Sequence, residues 1–263
     1  MTILDKIIAH KKKEVAKLRK EVSLESLLKS PQFKRKPISL KKALTKQNST
    51  GIIAEFKRQS PSKGVINSEA EIIKVTQDYL AAGVSAQSIL TDNHFFGGSI
   101  LDLIKAREVN NTAPILRKDF IVDAFQIIEA KAIGADVILL IASCLGAKQL
   151  KDFGSLATDL GLEVLYEVHN KSELDKIDLD GKIIGINNRD LKTFEVNLEQ
   201  SLKVAESIPK NCIKVSESGI SDPRIVSGLK EYDFKGFLIG ENFMKTNNPG
   251  LACKEFINQL NPL

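Results

Sequence analysis

Lysine, glutamate and asparagine side chains recur in this sequence at the ends of short apolar runs. Glu55 and Lys57 close the run IIAEFK, Lys118 closes PILRK, Glu167 lies in YEVHN and Asn187 in INNRDL. A lysine and a glutamate held near each other can act as acid and base in one reaction, because the ammonium donates a proton and the carboxylate accepts one. These residues therefore favour acid–base catalysis, with lysines that can also hold an anionic substrate.

Two spacings indicate how these side chains could meet. Glu55 and Lys57 are two residues apart, so in a strand both point to the same face. An outer face covered by helices would not readily accept two charges, so we expect both at the inner mouth of a barrel. Lys118 and Glu167 belong to the third and fifth apolar runs and could converge across that mouth. The alternative is that they form only a structural ion pair at the rim.

Turns that contain glycine follow the last two apolar runs and favour a phosphate site. The segments are SESGI, with Ser218 and Gly219, and LIGEN, with Gly240 and Glu241. Small residues let backbone N–H groups approach an anion closely, and barrel enzymes often bind phosphate after their last two strands. We therefore expect an anionic group of the substrate at these turns.

The elements that would position these residues alternate between strands and helices from residue 51 onward. Eight apolar runs recur about every 26 residues, the length of a strand, a helix and two loops. Several, such as VILLI, are apolar throughout, which is typical of parallel strands covered on both faces. The pattern predicts an α/β fold, a (β/α)8 TIM barrel; a doubly wound open sheet is the alternative, although its GxGxxG signature is absent. The predicted strands are 52–56, 84–90, 114–116, 137–141, 163–168, 182–186, 213–215 and 236–239.

Helical patterns fill the intervals between these runs. Ser68 and Glu71 have the spacing of a capping box ahead of the first such helix. Gly83, Gly134 and Gly161 stand where helices should end. The other predicted helices are 99–109, 124–133, 147–160, 171–177, 198–207, 222–231 and 251–260.

The first 46 residues differ in charge from the rest of the chain. They contain 14 Lys+Arg and 4 Asp+Glu, whereas the whole chain of 263 residues has 38 and 33. The remainder is therefore mildly acidic, and any nucleic-acid binding would have to come from this segment. Thr2 with Asp5 has the spacing of a capping box, and a second short helix is expected near Ser23. We expect a single barrel domain over 1–263 with a basic helical extension, 1–46.

Several function classes lack the residues that they need. No apolar stretch reaches the 18 residues of a transmembrane helix, and the amino terminus does not resemble a secretory signal. Cys144, Cys212 and Cys253 form neither a disulfide framework nor a zinc motif, and the three histidines lack metal-site spacing. A P-loop and a GxSxG motif are also missing. We expect a cytoplasmic protein without a metal site.

Seven segments occur in order along the chain: AEFKRQSPSKG, SILTDNHFFGGS, PILRKDFIVDAFQI, LYEVHN, IGINNRDLKTFEV, VSESGI and FLIGENFM. Together they closely resemble the indole-3-glycerol phosphate synthase family. The opening ILDKIIAHKKKEVAKLR is similar to that family's amino-terminal helix, so the resemblance covers nearly the whole chain. It implies a carboxy-lyase of tryptophan biosynthesis, in its monofunctional form. Such an enzyme converts 1-(2-carboxyphenylamino)-1-deoxyribulose 5-phosphate to indole-3-glycerol phosphate, with loss of CO2 and water and with no cofactor.

The resemblance also implies a role for each site residue. Lys118 is the general acid of ring closure, and Glu167 is the general base of dehydration. Lys57 holds the anthranilate carboxylate or serves as a second acid, a division that the sequence leaves open. Glu55 and Asn187 orient these groups and the reacting ring. The other implied contacts are Ser60, Arg189, Glu217 and Ser218 for the substrate, and Gly219, Gly240 and Glu241 for its phosphate.

Other interpretations remain open from the sequence. Phosphoribosylanthranilate isomerase, another barrel enzyme of the pathway, uses a Cys/Asp pair, and the first run here ends in EFK without a cysteine. Nucleic-acid binding by 1–46 is a less favoured interpretation, because that segment has one aromatic residue, Phe33, and so no stacking platform. We expect a monomer that binds a small anionic sugar phosphate and neither nucleic acid nor membrane. The extension would cover the barrel mouth and bring its lysines near the substrate.

Overall fold

Parallel strands form a closed barrel in the computed structural model, which describes residues 2–190 and 195–260. The barrel strands are β1 (Ile52–Phe56), β2 (Ala86–Leu90), β3 (Ile115–Lys118), β4 (Val137–Ile141), β5 (Glu163–Val168), β6 (Ile183–Asn187), β7 (Ile213–Glu217) and β8 (Phe234–Ile239). Each pairs with its neighbours in the chain, and β1 pairs with both β2 and β8. The predicted TIM barrel is confirmed, and the open-sheet alternative is wrong because this last pairing closes the sheet.

The amino-terminal extension is helical. Its elements are α1 (Ile3–Glu21), α2 (Leu24–Leu28), a 3₁₀ turn (Pro31–Lys34) and α3 (Leu40–Thr45). The predicted capping box is confirmed: the Asp5 backbone N–H donates to Thr2 Oγ1, and the Thr2 backbone N–H donates to the Asp5 carboxylate. The predicted start of the second helix is also confirmed, since the Ser23 hydroxyl accepts from the Ser26 backbone N–H.

The second half of the extension closes the amino-terminal end of the barrel. The Ser39 hydroxyl donates to Glu163, the first residue of β5, at 2.6 Å. Leu40 and Leu44 join the apolar cluster inside the barrel. We expected the extension at the mouth of the barrel. Its second half lies instead at the opposite end.

The remaining helices follow the barrel strands along the chain. They are α4 (Ile72–Ala81), α5 (Asn93–Phe96), α6 (Ile100–Val109), α7 (Ala124–Ala132), α8 (Ala147–Asp159), α9 (Lys171–Leu174), α10 (Leu198–Ala205), α11 (Pro223–Glu231), α12 (Glu241–Met244) and α13 (Pro249–Leu260). The capping box predicted for α4 is wrong: Ser68 donates to Glu69, and the N-cap position is Glu71, without a side-chain bond. Gly83, Gly134 and Gly161 follow their helices with positive φ, as predicted.

Apolar side chains fill two layers, one inside the barrel and one between the barrel and its helices. In β4, Val137, Leu139 and Ile141 belong to the inner layer, whereas Ile138 and Leu140 belong to the outer one. Strand side chains alternate between the two faces, so a strand buried on both faces must be apolar throughout. This explains the unbroken VILLI run. Among the described helices, none combines the length and apolar character needed to cross a membrane.

Candidate active site

Charged and amide side chains continue the interior rows of the barrel at its carboxyl end. In β3, Leu116 belongs to the inner apolar layer, and Lys118 follows it by two residues. Positions two residues apart in a strand face the same space, so Lys118 points into the barrel above Leu116. The inner layer therefore ends in a ring of polar groups. The same spacing places Glu55 and Lys57 after Ile53, Glu167 after Leu165, Asn187 after Ile183 and Gly185, and Glu217 after Val215.

A cavity of about 280 Å³ opens at this end of the barrel. Its lining includes all twelve predicted site residues: Glu55, Lys57, Ser60, Lys118, Glu167, Asn187, Arg189, Glu217, Ser218, Gly219, Gly240 and Glu241. Among the described residues, the extension contributes only Ile3, Leu4 and Ile7, from the first turns of α1. The lysines of the extension, which we expected near the substrate, are not in the lining. An apolar cover excludes water and strengthens the polar contacts beneath it.

Lys118 and Glu167 meet across the barrel, as their positions in the sequence predict. The Lys118 Nζ lies 3.2 Å from Glu167 Oε2 and 3.5 Å from Glu217 Oε2. The other oxygen of Glu167, Oε1, accepts a hydrogen bond from Asn187 Nδ2 at 3.3 Å. Both carboxylates are buried, so one ammonium is shared between two glutamates with little screening by solvent.

These contacts shift the pKa of each group. Burial by itself would lower the pKa of Lys118, but the carboxylates of Glu167, Glu217 and Glu55 outweigh it, and the pKa is raised. Burial would raise the pKa of Glu167, but Lys118 and His169 outweigh it, and the pKa is lowered. Burial raises the pKa of Glu217 to about 8, with Glu167 and Glu55 acting in the same direction and Lys118 against them. At neutral pH the site therefore holds a protonated lysine, an ionised Glu167 and a largely protonated Glu217.

Lys57 and Glu55 form a second lysine–glutamate pair at the cavity, on β1 and just beyond it. The Lys57 Nζ lies 2.7 Å from Glu55 Oε1. Gly240, at the end of β8, leaves room for this carboxylate, because a side-chain carbon there would collide with it. Ser60 lies farther along the same loop, in a short hairpin of Gln59–Ser60 with Gly64–Val65. The pair presents its ammonium to the cavity beside the polar ring.

The turn after β7 has the backbone shape of an anion-binding loop. Ser218 and Gly219 both have positive φ, 71° and 72°. Backbone N–H groups of successive residues in a turn can form a concave site that suits an anion. Asn188 holds the turn, since its Nδ2 donates to the Ser218 carbonyl at 2.7 Å and to Ser216 Oγ at 3.0 Å.

Glu241 places a carboxylate near the predicted phosphate position, and nearby cations balance its charge. Its Oε2 lies 3.5 Å from Arg189 and its Oε1 lies 3.8 Å from Lys63. Both distances are too long for strong hydrogen bonds, so an incoming anion could draw the two cations toward itself. Lys63 follows strand β1 in the sequence and lies outside the cavity lining.

Comparison with known proteins decides between the enzyme classes that this geometry would allow. A family model described as indole-3-glycerol phosphate synthase matches residues 4–256. The indole-3-glycerol phosphate synthase of Bacteroides thetaiotaomicron is 47% identical over 98% of this chain and 98% of its own length. That of Bordetella pertussis is 43% identical, over 97% of this chain and 98% of its own length. The chain belongs to the indole-3-glycerol phosphate synthase family.

A solved structure from outside the indole-3-glycerol phosphate synthase family shares the fold. Thiamine phosphate pyrophosphorylase from Pyrococcus furiosus superimposes with a TM-score of 0.58 over 80% of this chain and 96% of that one. The two sequences are 15% identical, so this similarity concerns the barrel alone.

Two basic side chains next to the site of this family member were not assigned a role from the sequence. Lys11, in the basic extension, is 1% exposed and lies 2.9 Å from Asp92 and 3.1 Å from Asp119. The signal that could have revealed it is its spacing, four residues after Ile7 and four before Val15, both of which are buried. His169, in YEVHN, lies beside Glu167 and is considered further below.

Proposed function

We propose that this member of the indole-3-glycerol phosphate synthase family converts 1-(2-carboxyphenylamino)-1-deoxyribulose 5-phosphate to indole-3-glycerol phosphate, releasing CO2 and water. The observation that carries the proposal is the Lys118–Glu167 pair, 3.2 Å apart at the base of the cavity. This pair offers a proton donor and a proton acceptor. The cavity also has a second lysine, Lys57, on one side and an anion-binding turn on another. The substrate needs all three.

The two ends of the substrate are anionic, and the cavity offers a site for each. Its phosphate binds to the backbone N–H groups of 218–219 and 240–241, where small residues permit close approach. Its aryl carboxylate binds to Lys57. Arg189 lies at the phosphate end and Ser60 follows Lys57 in the loop, so both supply further polar contacts. Held at both ends, the substrate brings its ring carbon and its ketone together, which lowers the entropic cost of ring closure.

Ring closure and decarboxylation come first. Lys118 gives a proton to the ketone oxygen while the ring carbon that bears the carboxylate attacks the ketone carbon. A carbon–carbon bond forms, and the attacked ring carbon becomes tetrahedral. The bond to the carboxylate then breaks, its electrons restore the aromatic ring, and CO2 leaves. The raised pKa of Lys118 keeps it in the protonated form that this step requires.

Dehydration follows and completes the indole. Glu167 takes a proton from the carbon next to the nitrogen of the new ring, and the hydroxyl leaves as water after a lysine has protonated it. The lowered pKa of Glu167 keeps this base ionised. Lys118 and Lys57 both line the cavity, so either lysine could donate that proton. We assign Lys57 as the second acid. Glu55 holds Lys57 by the 2.7 Å ion pair.

Glu217 and Asn187 support the pair. Glu217 is largely neutral at neutral pH, so it can donate a hydrogen bond to a substrate hydroxyl as well as accept one from Lys118. Asn187 fixes one oxygen of Glu167 by its hydrogen bond and leaves the other for Lys118. Small motions of Glu167 would break the alignment with the reacting carbon, so this support matters for rate.

Addition of the substrate to the purified protein tests this function. We expect indole fluorescence to rise with enzyme concentration, and Lys118→Ala to lower kcat by about 10²–10⁴ with a small change in KM. Absence of indole formation by the unmodified chain contradicts the proposed activity. Near-native turnover by Lys118→Ala contradicts the assignment of the acid alone.

The remaining features of the proposal are a monomer that acts in the cytoplasm, needs no metal or organic cofactor, and binds no nucleic acid. The burial of Lys11 supports the last point, because this lysine of the extension is held in ion pairs with Asp92 and Asp119 and is unavailable to nucleic-acid phosphates. A gel-shift assay at physiological salt, with the full chain, is expected to show no retarded band. Sedimentation of the same sample measures the oligomeric state.

A further inference from the structure

The His169 ring lies next to the Glu167 carboxylate, outside the cavity lining. The His169 Nε2 lies 3.7 Å from Glu167 Oε1, the oxygen that also accepts from Asn187. Among the hydrogen bonds of the described residues, none involves this buried Nε2. His169 is not part of the cavity lining, so any effect on the reaction must pass through Glu167.

A second carboxylate fixes the other nitrogen of the ring. His169 Nδ1 lies 3.1 Å from Glu173 Oε2, and the same oxygen accepts the His169 backbone N–H at 2.8 Å. Glu173 Oε1 accepts from Asn170 Nδ2 at 3.1 Å, and the Asn170 side chain also caps α9, the helix that carries Glu173. The imidazole is thus held in one orientation, with Nε2 toward Glu167.

We propose that His169, held by Glu173, is a positioning residue whose positive charge keeps Glu167 ionised for its part in dehydration. The inference deepens the proposed function and rests on it for the role of Glu167. Burial lowers the pKa of His169, but the hydrogen bond to Glu173 and the charges of Glu167, Glu173 and Glu217 outweigh it and raise the pKa. Below pH 6.5, the ordinary pKa of histidine, Glu167 therefore lies between two cations, Lys118 at Oε2 and His169 at Oε1.

The other titratable groups around Glu167 do not replace this effect. Lys118 must give up a proton during the reaction, so its electrostatic effect on Glu167 varies within each cycle. His169 is outside the cavity lining and gives up no proton to the substrate. Cys144, after β4, is neutral because burial raises its pKa to about 12. Glu217, from β7, has a pKa of about 8 and is uncharged in the acidic range where Glu167 titrates. His169 is therefore the group whose removal should change that titration.

The pH dependence of kcat/KM tests the proposal. An opposite charge within about 4–6 Å shifts a carboxyl pKa by about 1–3 units. His169→Asn should therefore move the acidic limb of the profile upward by at least about one pH unit. Glu173→Gln should move it in the same direction by less, because the imidazole remains but is more readily neutral. Lys171→Met removes an exposed positive charge two residues away and should leave the limb in place.

A histidine titration by NMR tests the same coupling without activity. The chain has three histidines, so the His169 ring signals can be assigned with His169→Asn. Coupling between two titrating groups is reciprocal, so Glu167→Gln should lower the pKa of His169 by the amount that His169→Asn raises the pKa of Glu167. Glu173→Gln should also lower it.

Two results overturn the proposal. One is an acidic limb that moves by less than about 0.3 units in His169→Asn, whatever happens to kcat. The other is a His169 titration that is the same with and without the Glu167 charge, which remains decisive if His169→Asn does not fold. Failure of the proposed function is a different outcome, since the unmodified chain would then form no indole while the NMR coupling could still be measured.

Discussion

Replacing Lys11 should destabilise the protein far more than replacing any of its lysine neighbours. The side chain is 1% exposed, and its Nζ lies within 3.1 Å of Asp92, Asp119 and Glu14. Asp92 is completely buried and Asp119 nearly so. Lys11→Met fills most of the same volume but leaves two buried carboxylates without this cation. Removing one partner of a buried ion pair typically costs about 3–5 kcal/mol, because the remaining charge stays desolvated.

The surroundings of the two aspartates refine this magnitude. Asp119 retains the Thr91 hydroxyl at 2.6 Å and Arg117 at 3.2 Å, whereas among the described residues Asp92 retains only the Phe95 backbone N–H at the start of α5. The loss therefore falls mainly on Asp92, and we expect the lower end of the range, about 3 kcal/mol. For a chain of this length, that corresponds to a fall in Tm of about 6–12 °C. Asp92→Asn in the Lys11→Met background should recover part of the loss, since the amide can be buried without a counter-ion.

Urea unfolding at pH 7 measures the effect, with Lys12→Met as the matched control. Lys12 follows on the same helix and is exposed, so its replacement should change the free energy of unfolding by less than about 0.5 kcal/mol. Burial lowers the pKa of Lys11, but Asp119 and Asp92 outweigh it and raise the pKa above 10.5. The stabilisation is thus complete below 10.5 and lost only at higher pH, so the difference should be constant from pH 6 to 9. A loss equal to that of Lys12→Met would refute this account of the extension.

Two further substitutions test the polar ring and the phosphate turn. Glu217→Gln should change the pH dependence of stability: the folded-state pKa of Glu217, about 8, exceeds its ordinary value of 4.5, so the unmodified chain loses stability as pH rises through this interval. The free energy of unfolding of the variant minus that of the unmodified chain should therefore be larger at pH 9 than at pH 5. Parallel curves of stability against pH would contradict the pKa shift. Gly219→Ala should raise KM by about tenfold with little change in kcat, since φ is 72° there and a side-chain carbon would collide with Val196. An unchanged KM would show that the turn does not hold the phosphate.

The barrel and its polar ring could be predicted because they depend on local regularities. Unbroken apolar runs at a constant interval indicate parallel strands, and a two-residue spacing carries an interior row from Leu116 to Lys118. In the structure, the same spacing places Glu167 after Leu165 and Glu217 after Val215 on the inner face. Polar, charged and glycine residues at one end of every predicted strand therefore indicated the site before any distance was known.

Other features depend on contacts between distant segments, which a single sequence does not display. Lys11 resembles the exposed lysines that follow it, and its burial results from Asp92 and Asp119, which lie more than 80 positions away. The extension passes from the mouth to the opposite end of the barrel because Ser39 contacts Glu163, a pairing without a local signal. The failed capping box at Ser68 shows the limit of local motifs, since its hydroxyl donates to Glu69 instead.

A single-turnover measurement of CO2 release and indole formation tests the central claim, that Lys118 drives ring closure and Glu167 drives dehydration. Excess enzyme is mixed with substrate labelled in its carboxylate, and both products are followed in Glu167→Gln and Lys118→Met. We predict that Glu167→Gln releases CO2 in the first turnover while indole fluorescence appears at least about 10² times more slowly than in the unmodified chain. Lys118→Met should release CO2 and form indole equally slowly. CO2 and indole that appear together at the unmodified rate in Glu167→Gln would contradict the division of labour between the two residues.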